Sequence, residues 1–74
     1  MKIPTNKELQ ELAVRALGEG ATVELRQNQY GWWGDATEKD KRGECLRISV
    51  HFQYWTEAKI ALAAALEALA EVRK

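Results

Sequence analysis

The spacing of apolar residues changes twice along this 74-residue chain, and this change constrains the fold more than any other feature. Near both ends the apolar residues recur every three or four positions, as on one face of a helix, whereas the middle alternates apolar and polar residues, as in a half-buried strand. The pattern predicts an α+β domain with the order α-β-β-α. We expect the two helices to pack on one face of a long β-hairpin.

The first helical segment carries local signals for both of its ends. Thr5 and Glu8 have the spacing of a capping box, in which each residue bonds the backbone N–H of the other. Gly18 follows the last apolar position and suits the residue that ends a helix. The first helix is therefore predicted from about Asn6 to Leu17.

The last helical segment is rich in alanine and leucine, which favour helix. Trp55 precedes Thr56 and lies five positions before Ile60, which is the spacing of a hydrophobic staple around an N-cap. We therefore expect Thr56 to cap this helix and Trp55 to cover Ile60.

The two central segments differ in how regularly apolar and polar residues alternate along them. Residues 45–53 alternate strictly and predict a strand, whereas the earlier segment starts with Val23 and loses its phase after Arg26. Strict alternation would send Tyr30 and Trp32 outward, while a β-bulge near residues 27–29 would return both to the core face. The sequence leaves the two registers open. The polar, glycine-bounded segment 34–43 is predicted to be the hairpin loop.

The length of the chain implies a single domain over residues 1–74 with a thin margin of stability. Small domains gain stability from disulfides, metals or self-association. One cysteine excludes an intrachain disulfide, and one cysteine with one histidine makes a zinc site implausible, so no cofactor or metal is expected. We expect a homodimer in which free strand edges pair across a two-fold axis.

Charge and hydropathy indicate which partners and which cellular compartment to expect. Eleven Lys and Arg residues balance eleven Asp and Glu residues, which disfavours a dedicated nucleic-acid binder. The first residues lack the apolar core of a signal peptide, and no apolar run is long enough to span a membrane. Together with the lone cysteine, these features predict a soluble, cytoplasmic protein.

A search for catalytic residues favours a non-enzymatic protein. Cys45 and His51 fall on the same face of one strand, about 20 Å apart, so they cannot form a dyad within one subunit. The sequence contains no phosphate-binding loop, dinucleotide fingerprint or zinc-protease motif.

Basic residues near the aromatic stretch suggest a second possibility, which is a nucleic-acid interface over residues 26–47. Aromatic rings stack on bases while arginine and lysine neutralise phosphate. The candidate contacts are Arg26, Lys39, Lys41, Arg42 and Arg47. Four acids interleave with them and oppose their charge, and we expect these acids to be solvated: Asp35, Glu38, Asp40 and Glu44.

Aromatic residues provide the other candidate surface. Tyr30, Trp32 and Phe52 could complete the core, but one of the adjacent pair Trp32 and Trp33 must face away from it in either register. Tryptophan and tyrosine commonly anchor protein interfaces. The interface candidates are Tyr30, Trp32, Trp33, Tyr54 and Trp55.

The tail YWTEAKIALAAALEAL resembles the closing segment of small phage and prophage proteins with an ABA-sandwich domain. In those proteins an aromatic-rich strand leads through a short polar turn into an alanine-rich helix. The resemblance covers about the last twenty residues and implies an α-β-β-α fold and a phage or mobile-element accessory role. It implies no catalytic residues.

The sequence thus predicts a small interaction module that binds a second copy or another protein through its aromatic residues. The alternative is a nucleic-acid binder.

Overall fold

The computed structural model describes residues 2–39 and 45–73. Within them the three strands form one antiparallel sheet in the order β1-β2-β3, so β2 is central. The predicted α+β class with a helix at each end is confirmed, but the sheet has three strands where the sequence predicted two. The elements are α1 Asn6–Leu17, β1 Thr22–Asn28, β2 Gly31–Thr37, β3 Arg47–Phe52 and α2 Trp55–Val72.

Both helices pack on the same face of the sheet. Val23, Ala36 and Ile48 lie side by side across the three strands, and the next row on this face contains Gly34. These rows pack against a core to which the helices contribute their fully buried leucines, Leu9, Leu62 and Leu66. Side chains alternate between the faces of a strand, so the intervening residues lie on the face away from the helices.

A turn replaces the β-bulge that would have carried one strand through residues 27–33. The Tyr30 backbone N–H donates to the Asn28 side-chain oxygen at 2.8 Å, a local bond that favours a turn. Gly31 follows with a φ of 139°, a conformation that L side chains rarely adopt. The chain therefore reverses after β1, and Trp32 pairs with Gln27 at the start of β2.

The predicted loop over residues 34–43 is wrong in its first part, because β2 extends through Thr37. A Cβ on Gly34 would lie 3.2–3.4 Å from the side chains of Val50, Leu25 and Leu62, so this small residue lets α2 approach the central strand. Because Gly34 carries no apolar side chain, the buried face of β2 is only weakly marked in the sequence. The last part of the predicted loop, residues 40–43, lies outside the described residues.

The predicted start of α1 is confirmed, and that of α2 is wrong. The Thr5 hydroxyl accepts from the Glu8 N–H at 3.1 Å, and Glu8 accepts from the Thr5 N–H at 3.3 Å. In α2 the N-cap is Tyr54, whose carbonyl accepts from the Ala58 N–H at 3.1 Å, so Thr56 is already inside the helix. No helix in the described chain is long and apolar enough to cross a membrane.

Replacing Gly31 by alanine should destabilise the fold more than replacing Gly18, which also has a positive φ. A Cβ on Gly31 would lie 2.5 Å from the carbonyl oxygen of Phe52, whereas one on Gly18 would meet nothing within 4 Å. Gly18→Ala should cost about 1–3 kcal/mol through backbone strain alone. Urea unfolding followed by circular dichroism measures both variants. An equal or smaller loss for Gly31→Ala would contradict the close approach of the turn to β3.

Candidate binding surfaces

The face of the sheet away from the helices is mostly polar and is called the open face here. Its residues occupy alternate positions of all three strands. Arg26, Trp33 and His51 form one row across the sheet, and Glu24, Asp35 and Ser49 form the next. The full set is Thr22, Glu24, Arg26 and Asn28 of β1, Trp33, Asp35 and Thr37 of β2, and Arg47, Ser49 and His51 of β3.

Asp35 lies at the centre of the open face and is only 3% exposed. Its Oδ1 accepts a hydrogen bond from the Ser49 hydroxyl at 2.6 Å. Its Oδ2 accepts from Arg26 Nη2 at 2.7 Å and from Arg47 Nη2 at 3.2 Å. One carboxylate on the central strand therefore bonds to side chains of both neighbouring strands.

The surroundings of Asp35 favour its charged form. Burial raises the pKa of this carboxyl, but the hydrogen bonds from Ser49, Arg26 and Arg47 outweigh burial, so the pKa lies below its ordinary value of 3.8. Asp35 is thus ionised near neutral pH and holds two guanidinium groups in fixed positions.

Aromatic stacking occurs beside this charged centre. The Trp33 indole and the His51 imidazole stack with ring centroids 4.4 Å apart and planes inclined by 23°. Trp33 is half-buried and His51 is exposed. The open face forms a shallow concavity of about 480 Å³ next to this pair. The concavity is lined by Arg26, Gln27, Asn28, Trp33, Asp35, Arg47 and Ser49.

A second surface, called the aromatic end here, lies where the β1–β2 turn meets the β3–α2 junction. It comprises Tyr30, Phe52, Tyr54 and Trp55, all of which are exposed. A Cβ on Gly31 would contact the backbone of Phe52 and Gln53, which places the turn beside the end of β3. Four aromatic side chains are therefore exposed at one end of the molecule.

Trp55 has an additional intramolecular contact. The Lys59 ammonium, one helical turn further along α2, lies 4.4 Å from the centroid of the Trp55 ring. Such a cation–π contact uses one face of the indole and holds it in place. Lys59 is itself buried, so the face of Trp55 that it contacts is not available to a partner.

The interface candidates divide between the two surfaces and the core side. Trp33 lies on the open face, whereas Trp32 is half-buried on the face that the helices cover, so the expectation that one of the pair faces away from the core is confirmed. Tyr30 lies in the turn, exposed, and together with Phe52 it does not complete the core.

The candidate nucleic-acid contacts are only partly brought together. Arg26 and Arg47 meet at Asp35. Lys39 is exposed beyond β2, where its aliphatic chain would lie within 2.9 Å of a Cβ on Gly20. Lys41 and Arg42 lie outside the described residues.

Asp35 is the residue that the sequence interpretation placed wrongly, as a solvated acid in a loop. A weak sequence signal for strand β2 was present, because the small residues Gly34 and Ala36 alternate with the polar residue Asp35. Among the other acids, Glu38 accepts a hydrogen bond at Oε1 from the Leu46 backbone N–H at 2.9 Å. Asp40 and Glu44 fall outside the described part of the chain.

Cys45 and His51, which the sequence places on one strand, have different surroundings in the structure. Cys45 is a free, exposed thiol that precedes β3, and the ring that stacks on His51 is that of Trp33. Over residues 2–39 and 45–73, no three His, Cys, Asp or Glu side chains are grouped so that they could hold a metal ion.

Comparison with known proteins found no matching family model, no curated relative and no similar solved structure. The similarity of the C-terminal segment to ABA-sandwich proteins stays a prediction.

Replacing Asp35 by asparagine should lower stability near neutral pH by about 1–3 kcal/mol, because the charged hydrogen bonds to two arginines are weakened. The wild-type contribution is present above pH 3.8, the ordinary pKa, and is lost as pH falls through the lower pKa of the folded state. Asp35→Asn should therefore lose less stability on acidification. Chemical unfolding between neutral and acidic pH measures this.

Glu11→Gln, on the exposed side of α1, removes one negative charge elsewhere and controls for a general charge effect. An acid dependence of Asp35→Asn as steep as that of the wild type and of Glu11→Gln would contradict the role of this carboxylate.

Proposed function

We propose that this chain is a small, non-enzymatic interaction module that forms a homodimer through its aromatic end. The observation that carries the proposal is the exposure of four aromatic side chains at one end of the sheet, with Tyr30 at 72% and Tyr54 at 60%. Aromatic side chains are the most frequent anchors of protein interfaces. They are costly to leave in water when they lie next to one another.

The area of the aromatic end suits an interface core. From the exposed fractions of its four residues, about 400 Å² of aromatic surface is available per copy. A standard interface buries about 800 Å² per partner and has an apolar core surrounded by a polar rim. The aromatic end would therefore supply the centre of a two-fold interface, and its neighbours the rim.

A second copy is the partner that the chain itself favours. A domain of 74 residues gains stability by association, and a formal net charge of zero places no electrostatic barrier between copies. The two outer strands, β1 and β3, have no further strand beside them in the described chain, so they could extend the contact by edge pairing.

The proposed setting is the cytoplasm, because Cys45 is an exposed free thiol and reducing compartments preserve such thiols. A phage or mobile-element accessory role is part of the proposal on the resemblance of the tail alone. Neither point is needed for the dimer.

Size-exclusion chromatography with light scattering tests the dimer. The wild type should give about twice the 8.4 kDa mass of one chain. The double variant Tyr30→Ser, Tyr54→Ser should weaken the dimer about tenfold or more and move the mass toward 8.4 kDa, because two anchors are lost. Its helix content should stay unchanged, since both side chains are largely exposed.

Val72→Ser is the matched control, because Val72 is an exposed apolar residue at the far end of α2, 83% accessible. It should leave the mass unchanged. A wild type that remains at the mass of one chain at every concentration, or a control that dissociates as readily as the double variant, would show that the aromatic end does not form a dimer.

A further inference from the structure

We propose that the open face binds single-stranded nucleic acid, with a base stacking on the Trp33–His51 pair and phosphates bound by Arg26 and Arg47. This surface lies on the strands themselves and is separate from the aromatic end. The proposal therefore does not depend on the dimer. It rests on an aromatic stack, two fixed arginines and a shallow concavity that adjoin one another.

The stacked pair provides a platform for a base. Trp33 and His51 are already parallel within 23°, and neither is covered by a helix. A base can extend this stack whatever its identity, because every base has a π-face. In a duplex both faces of each base are already stacked, so none is free for Trp33 and His51, and the geometry selects unpaired strands.

The two arginines are positioned for phosphate. The side chains of Arg26 and Arg47 are 50% and 55% exposed, and each uses one Nη on Asp35. A guanidinium has five N–H donors, so both retain donors for a second anion. Because Asp35 fixes them from beneath, less rotamer freedom is lost when a phosphate binds.

The charge balance of the open face limits how much phosphate contributes. Glu24 contacts Arg26 Nε at 3.1 Å and, with Asp35, offsets the two arginines. The Glu24 side chain is 65% exposed, so a phosphate can displace it into water. We therefore expect stacking to supply much of the affinity and the salt dependence to be shallow.

An acidic peptide is the competing occupant, and the structure favours it less. Carboxylates would engage Arg26 and Arg47 but would not extend the stack of Trp33 on His51. Asn28 and Gln27 line the same concavity and offer uncharged donors and acceptors to the edge of a base. Base and phosphate together use the whole surface.

Fluorescence anisotropy with a labelled oligothymidylate of about 12 nucleotides tests the proposal. The slope of log affinity against log salt should be about −1.4, or about 0.7 for each of two neutralised phosphates. Arg26→Gln should reduce the slope to about −0.7. Arg15→Gln, on α1, makes the same charge change away from the sheet and should leave the slope unaltered.

Trp33→Leu should weaken binding about tenfold or more, while Trp33→Phe should retain most of it, because a ring still stacks. His51→Leu provides a second stacking variant at an exposed edge position, in case the change at Trp33 disturbs the fold. Thermal unfolding by circular dichroism checks that each variant is folded. A duplex of the same length should bind more weakly than the single strand.

Several results would overturn the proposal. One is no anisotropy change up to about 100 µM protein, the weak end of non-specific affinities. Another is an equal loss for Arg26→Gln and Arg15→Gln, which would show a general charge effect. Displacement of the oligonucleotide by poly-glutamate, with folded Trp33→Leu and His51→Leu binding as well as the wild type, would assign the face to acidic protein partners instead.

Discussion

The buried carboxylate of Asp35 connects all three strands on the open face, which neither helix covers. Asp35 bonds to Arg26 of β1 and to Arg47 and Ser49 of β3, so the central strand is connected to both of its neighbours by side chains as well as by the backbone. Buried charges are stable only when they are paired and hydrogen-bonded. Asp35 meets this requirement with three donors, and so the open face can be ordered without a helix above it.

The two faces of the sheet therefore differ in what they contribute. On one face, small residues such as Gly34 and Ala36 let the helices approach and bury an aliphatic core. On the other, the network around Asp35 fixes two arginines beside an aromatic stack. The four exposed aromatic residues of the aromatic end are not part of the hydrophobic core. Both proposals therefore place binding on surfaces outside that core.

The parts of the fold that depend on contacts between residues close in sequence could be predicted. The capping box at Thr5 and Glu8 marks the start of α1 because its bonds span only three residues. The third strand was missed, because the turn after Asn28 also depends on how closely Gly31 approaches Phe52, and the spacing of the residues does not show that contact. Alternation can place Asp35 in a strand, but it does not show the partners of this residue, which lie 9, 12 and 14 residues away.

Carbon-13 NMR of the Asp35 side-chain carboxyl tests whether its three donors hold it as a carboxylate. The signal is assigned by its absence from Asp35→Asn, and its shift is followed as the folded protein is acidified. The pKa should lie below the ordinary 3.8, because the hydrogen bonds from Ser49, Arg26 and Arg47 favour the charged form and outweigh burial. A pKa at or above 3.8 would mean that burial prevails and that the carboxylate does not organise the open face.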